Sequence, residues 1–292
     1  MITVVGGTGR LGRVVCASLM MRDLPVRVAS RHAGSAASDP HLAGAELVEA
    51  DVADPRQARA VISGSSHVVA AMTGMDPRGG AGPKAVDRDA AIVLIDAAAD
   101  VGCHLVLVSV VGAAPDSPIE LFRMKAAAEQ RLKGSRMAWT MVRPTAYQET
   151  WLEIVGRPLV TTGSTRVFGR GQNPINFVSA DDVAALVDLV VGDPATRGQT
   201  LDIGGPDNLT FGQLAAALLE AGGVRGPPRH VPPFVLHVVA DTICRLKPQL
   251  GRQIRAALAM DRLDQSFDST AIHRRFPQLP TTSVADLLGV HC

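Results

Sequence analysis

Short, continuous apolar runs recur through the first half of the chain, each followed by a stretch with helical spacing. The runs lie at residues 2–5, 25–31, 46–51, 67–72, 105–109 and 139–143. They are apolar at successive rather than alternate positions, the pattern of strands covered on both faces. Between them, 13–20, a segment opening at Pro55, 92–99 and 125–132 read as helices. Asp54 is the expected N-cap of the second helix, with Pro55 at its first position. Strand and helix alternating at this spacing predict an α/β fold, a doubly wound parallel sheet.

The second half is less regular. Residues 161–173 are rich in Gly, Thr and Arg and read as a loop or short hairpin. Ser179 is the expected cap of a helix over 183–191, and 200–203 is a strand. Thr210 and Gln213 form a capping-box signature for a helix closing near Gly222-Gly223. We expect a core over 1–145 and a small, discontinuous C-terminal lobe over 146–292, with segments near 176–204 returning to the core. In 234–261 the apolar positions Leu236, Val239, Ala240, Ile243, Leu246, Leu250, Ile254, Leu258 and Met260 follow helical spacing. Arg245, Lys247, Arg252 and Arg255 decorate the rest. A membrane- or partner-facing surface is one reading. A helix pair with a solvated basic face is the other, and Pro248 and Gly251, which interrupt the stripe, favour it.

Between the first run and its helix lies Gly6-Gly7-Thr8-Gly9-Arg10-Leu11-Gly12. Strand, glycine turn and helix in that order form the dinucleotide-binding arrangement of a Rossmann sheet. Gly6 allows the tight turn, Gly9 lets the backbone approach a pyrophosphate, and Gly12 lets the helix pack on the strand. The helix N-terminus adds N–H groups and partial positive charge. The second strand ends in Arg31, with no Asp or Glu between Asp23 and Asp39. NAD binders place an acid there for the ribose 2′-OH. A guanidinium suits a 2′-phosphate, so NADP (NADPH) is expected over NAD, unless Arg31 is a solvated surface residue.

Composition gives no case for a nucleic-acid partner or a membrane span, and a small-molecule substrate is the expected partner. A net charge of +1 gives no electrostatic case for nucleic acid, and 3% aromatic residues argue against a base-stacking platform. No run of about 20 apolar residues spans a membrane. The eight histidines show no metal-ligand spacing, so no metal is expected; Cys103-His104 reads as packing and His291-Cys292 as a chain end. Four cysteines without a C-x-x-C pair suit a reducing compartment. A strand at residue 2 leaves no room for a signal peptide, so the expected location is cytoplasmic.

The glycine loop, Arg31, Asp51-Val52, Ser109, Lys125, Trp139–Pro144, Phe177-Val178-Ser179-Ala180-Asp181-Asp182-Val183-Ala184 and Gly204-Gly205-Pro206-Asp207-Asn208-Leu209-Thr210 follow one another in a familiar order. In this order the chain resembles the short-chain dehydrogenase/reductase superfamily, most closely its atypical, NmrA-like and isoflavone-reductase-like members, over about the first 220 residues. The resemblance implies that Asp51 and Val52 contact the adenine. It implies that Ala71, Met72 and Thr73 line the path to the nicotinamide ribose, and that Pro144 to Tyr147 border the nicotinamide. It also exposes a departure. The superfamily pairs a tyrosine with a lysine four residues later, beside a Ser or Thr on the fifth strand. Lys125 fits the lysine, but Leu121 stands where the tyrosine would be, and a leucine donates no proton.

Three readings of Lys125 follow: a proton relay without the tyrosine, a ribose clamp for an acceptor needing no fixed acid, or a solvated lysine in the first turn of a helix that also carries Arg123, Glu129, Arg131 and Lys133. Ser109 either bonds a substrate carbonyl or caps the turn before Gly112. Tyr147, the one tyrosine in the chain, either replaces the missing donor or shapes the pocket. The expected function is an NADP(H)-dependent oxidoreductase acting on a small organic molecule. The alternative is a non-catalytic NADP(H) sensor or assembly factor that reports to a protein partner.

Overall fold

β1 (Ile2–Val5) is buried along its whole length and leads through the glycine loop into α1 (Arg10–Met21). In the computed structural model, which describes residues 1–75, 81–232, 234 and 248–289, the chain divides into two compact units. One comprises Met1–Pro144 and Ala180–Asp202, the other Thr145–Ser179 and Ile203–Cys292.

The first unit is built on a seven-stranded sheet. Its strands are β1, β2 (Val26–Ser30), β3 (Glu46–Glu49), β4 (His67–Ala70), β5 (His104–Val108), β6 (Trp139–Pro144) and, at one edge, β10 (Gln199–Ile203). The order is β10-β6-β5-β4-β1-β2-β3, and every pair from β3 to β6 is parallel. Chain order therefore reverses between β1 and β4, which is where open α/β sheets bind ligands beyond their carboxyl ends. Apolar runs explain the sheet: Val4, Val28, Val68, Val69, Leu105 and Val106 are each fully buried.

Helices cover both faces. α1 presents Leu11, Val15 and Leu19 at helical spacing and packs on α6 (Ala180–Gly192). On the other face α2 (Pro55–Ile62), α3 (Ala91–Val101) and α4 (Glu120–Lys133) bury Ile62, Leu94, Ile95 and Leu132 over β4 and β5. Asp54 caps α2 by accepting from Arg56 N at 2.8 Å, as its sequence position implied. A π-helical turn, Lys84–Ala90, runs directly into α3.

The second unit holds a three-stranded sheet, β11 (Asn208–Leu209), β9 (Ile175–Val178) and β7 (Ala146–Tyr147), and a parallel pair, β8 (Arg166–Phe168) with β12 (Arg229–Val231). Its helices include α5 (Gln148–Thr162), α7 (Phe211–Ala221), Pro248–Met260, Thr270–Arg275 and Val284–Leu288. α7 opens on the capping box of Thr210 and Gln213.

Three expectations need correction. The segment 161–173 is not a hairpin: α5 continues through Pro158 to Thr162, ends at the left-handed Gly163, and β8 pairs with distant β12. α4 begins at Glu120, five residues before the expected start, because its N-cap Ile119 carries no side-chain cap to mark it. Lys125 therefore lies in the second turn. Most of the 234–247 stripe and the pair His291-Cys292 fall outside the described residues. Within the described part, no helix is long and apolar enough to cross a membrane, and no group of three His, Cys, Asp or Glu side chains is placed to hold a metal.

His104, at the amino end of β5, has more than a packing role. It is 4% exposed, its Nε2 lies 2.9 Å from Thr140 Oγ1, and its ring meets His67 edge-on at 5.1 Å. Burial, reinforced by His67 and Arg197, lowers its pKa from 6.5 to about 4. The unfolded imidazole thus takes its proton near pH 6.5 and the folded one only near pH 4. Stability should be full above pH 6.5 and fall between these limits, by about 2 kcal/mol at pH 5. Denaturant titrations from pH 7 to 4.5 should show this loss in the wild type and a clearly smaller one in His104→Gln. Equal slopes would exclude His104 as the source.

Candidate functional site

Backbone closes two positions of the glycine loop to any side chain. Gly6 is left-handed, with φ +83°, and an added Cβ would lie 3.0 Å from Ala71 C and O and Met72 Cα. At Gly12 a Cβ would stand 2.2 Å from Gly6 O and 2.6 Å from Gly7 Cα. Gly9 is different: its Cβ would meet only Gly6 O, at 3.2 Å. Gly9 is also the N-cap of α1, so no side chain caps the helix, and the first turn contains no acid. The amino end of α1 has neither a capping oxygen nor a carboxylate of its own, which fits a pyrophosphate.

The neighbouring residues sort by exposure. Thr8 Oγ1 lies 2.9 Å from Ser30 Oγ, tying the loop to the end of β2. Arg10 is exposed; Leu11 is buried in the core, leaving only its backbone for a ligand. Arg31 is exposed and makes no ion pair or hydrogen bond among the described residues. Asp51 is exposed but turned back on its own loop, its Oδ1 accepting from Ala53 N at 3.0 Å, while Val52 is buried. Ala71 and Met72 are half-buried, Thr73 is exposed and Pro144 is buried.

Lys125 is not a solvated lysine. Its side chain is 8% exposed, and Nζ donates to Val108 O at 2.9 Å and Met72 O at 3.1 Å. It also pairs with Asp87 Oδ1 at 3.0 Å. Two carbonyls thus accept from the ammonium group and one buried carboxylate pairs with its charge. Asp87, on the π-helical turn, is wholly buried, and its Oδ2 accepts from Gly74 N at 2.7 Å.

One turn further along α4, Glu129 is 3% exposed rather than solvated. Ser109 Oγ donates to its Oε1 at 2.5 Å, and Arg143 bonds both carboxylate oxygens, with Nε at 2.8 Å from Oε1. The bond to Glu129 raises the Arg143 pKa, and burial raises that of Asp202 beside it. Ser109 therefore neither caps the Gly112 turn nor presents a free hydroxyl. Tyr147 lies in the other unit; its hydroxyl is buried with no hydrogen-bond partner among the described residues, and burial raises its pKa.

The sequence profile of a family described as NAD(P)H-binding matches residues 6–194. The chain belongs to this NAD(P)H-binding family. NAD(P)H is accordingly its cofactor. The NAD(P)H azoreductase of Xenophilus azovorans is 29% identical over 231 residues, 79% of this chain and 76% of that one. Among solved structures, the NADPH-dependent quinone oxidoreductase of Escherichia coli, complexed with NADPH, superposes with a TM-score of 0.79 at 21% identity, over 99% of both chains. The Citrobacter sp. triphenylmethane reductase complexed with NADP(H) gives 0.79 at 18% identity, also over 99% of both. These two likenesses carry the fold.

For a family member the internal engagement of Lys125 and Ser109 matters most. The partners that absorb them, Asp87 and Glu129, were not singled out from sequence. The available signal was the i, i+4 spacing of Lys125 and Glu129, which puts both on one face of α4. Only the strand they face reveals that this face is buried.

The loop geometry separates two glycines. Gly12→Ala must displace backbone and should cost about 1–3 kcal/mol. Gly9→Ala, whose methyl meets one oxygen, should cost much less. Thermal unfolding of the two variants checks the order, and equal melting points would contradict it.

Proposed function

We propose that the protein is an NADP(H)-dependent reductase of small organic acceptors, of the quinone or azo class, which take up a hydride and draw their proton from water. The observation that carries this reading is the engagement of Lys125: two of its donors go to backbone carbonyls and its charge is paired with the buried Asp87. Ser109 is likewise bound to Glu129, and Leu121 offers no proton. No side chain of this group is left to act as the acid, so the acceptor must be one that needs none. The names of the azoreductase, quinone oxidoreductase and triphenylmethane reductase relatives support the same class.

Bound, the dihydronicotinamide supplies the hydride. The chain's own residues bind and orient. Gly6, Gly9 and Gly12 admit the pyrophosphate to the backbone of Arg10 and Leu11 at the start of α1. Arg31, exposed at the end of β2 beside Thr8 and Ser30, pairs with the 2′-phosphate. Asp51 and Val52 border the adenine. Ala71, Met72 and Thr73, beyond β4, border the nicotinamide ribose, and Pro144 the nicotinamide. Lys125 acts by holding backbone rather than by moving a proton.

Steady-state oxidation of NADPH against a panel of quinones and azo dyes tests the reading. The wild type should turn over at least one acceptor, and Ser109→Ala should keep its kcat within about tenfold, below the usual 10²–10⁴ of a general acid. Arg31→Ala should raise the KM for NADPH about tenfold or more while leaving that for NADH unchanged. Tight NADPH binding without turnover of any acceptor would favour the sensor instead. Loss of turnover by 10²-fold or more in Ser109→Ala or Tyr147→Phe would assign a side-chain acid.

A further inference from the structure

The backbone that leaves β4 is held by side chains. Ala71 N donates to Val5 O at 2.9 Å, a last sheet-like bond. After it Met72 O is taken by Lys125 Nζ and Gly74 N by Asp87 Oδ2. Asp87 also fixes Lys125, and Lys125 fixes Val108 O at the end of β5. One carboxylate thereby sets 72–74 against the ends of two strands. The segment has little slack, since a Cβ on Gly74 would stand 2.2 Å from Gly82 O.

The position of this segment gives it a role. The chain reverses its order between β1 and β4, and the crevice there is the ligand site of such sheets. The Gly6 backbone lies against Ala71 and Met72. A dinucleotide held at the start of α1 sends one half toward β2, where Arg31 stands, and the other toward β4, where 72–74 stand. The π-helical turn that carries Asp87 is a departure from regular helix of the kind that accompanies functional sites.

We propose that Asp87 is a positioning residue for the nicotinamide half of the cofactor, acting through Lys125 and Gly74 on the backbone of 72–74. The inference rests on the cofactor placement above. Replacing the carboxylate by an amide removes the charge that matches the ammonium and leaves one oxygen for two donors, Lys125 Nζ and Gly74 N–H, which loosens the segment that borders one half of the ligand. A merely structural role would weaken the whole site evenly. A positioning role weakens one half of it.

Calorimetric titration of Asp87→Asn with NADPH and with adenosine 2′,5′-bisphosphate, which lacks the nicotinamide half, separates these roles. NADPH should bind about tenfold more weakly or worse, as when one charged contact is lost, while the bisphosphate changes less than about twofold. Equal weakening of both ligands, or no weakening of either, overturns the proposal. If Asp87→Asn does not fold, the double variant Asp87→Asn/Lys125→Gln leaves no buried charge alone and is read in the same way. A wild type that binds neither ligand overturns the cofactor placement, and this inference with it.

Discussion

Helix α4 carries a cation and an anion one turn apart, and both are buried against the carboxyl ends of the strands. Lys125 and Glu129 share a face because four residues make about one turn. Burying either charge alone costs several kcal/mol, and removing a partner from such a pair about 3–5 kcal/mol. Each is therefore matched: Lys125 by Asp87 and two carbonyls, Glu129 by Arg143 and Ser109. The match fixes more than α4. It ties the ends of β4, β5 and β6 to one helix, so the rim that faces the glycine loop is set by paired charges as well as by the sheet.

This arrangement turns the familiar reductase pattern around. A lysine and a serine turned toward ligand were one reading of Lys125 and Ser109; in the structure both bond protein groups. Two of the ammonium's donors go to backbone carbonyls and its charge is matched by Asp87, so its first partners are the protein's own groups. In the proposed reductase, chemistry depends on what the backbone and the bound dinucleotide supply, and on acceptors reactive enough to dispense with an acid. The glycine loop serves that demand directly, since it is shaped by close backbone approach at Gly6 and Gly12 and leaves the amino end of α1 uncapped.

Much of this was legible in the chain. Continuous apolar runs located the six strands of the core, because a strand buried on both faces has no polar position to interrupt it. The glycines located the tight turn between β1 and α1, because φ +83° at Gly6 and the close approach at Gly12 admit no other residue cheaply. Buried charges were not legible. Glu129 sits among Arg123, Arg131 and Lys133 and looks like part of a solvated helix; only the tertiary position of Arg143 and Ser109 shows otherwise. Asp87 stands 38 residues from Lys125 and has no local partner to announce it. Helix ends failed where the cap is an apolar backbone, as at Ile119, or where a proline is carried inside, as at Pro158.

A crystal structure of the complex with NADP+ tests the central claim most directly. The account predicts that Lys125 Nζ stays within hydrogen-bond distance of Asp87, Met72 O and Val108 O, with Ser109 still on Glu129 and the ribose hydroxyls bonded elsewhere. A Lys125 that has left Asp87 to bond the nicotinamide ribose would contradict it.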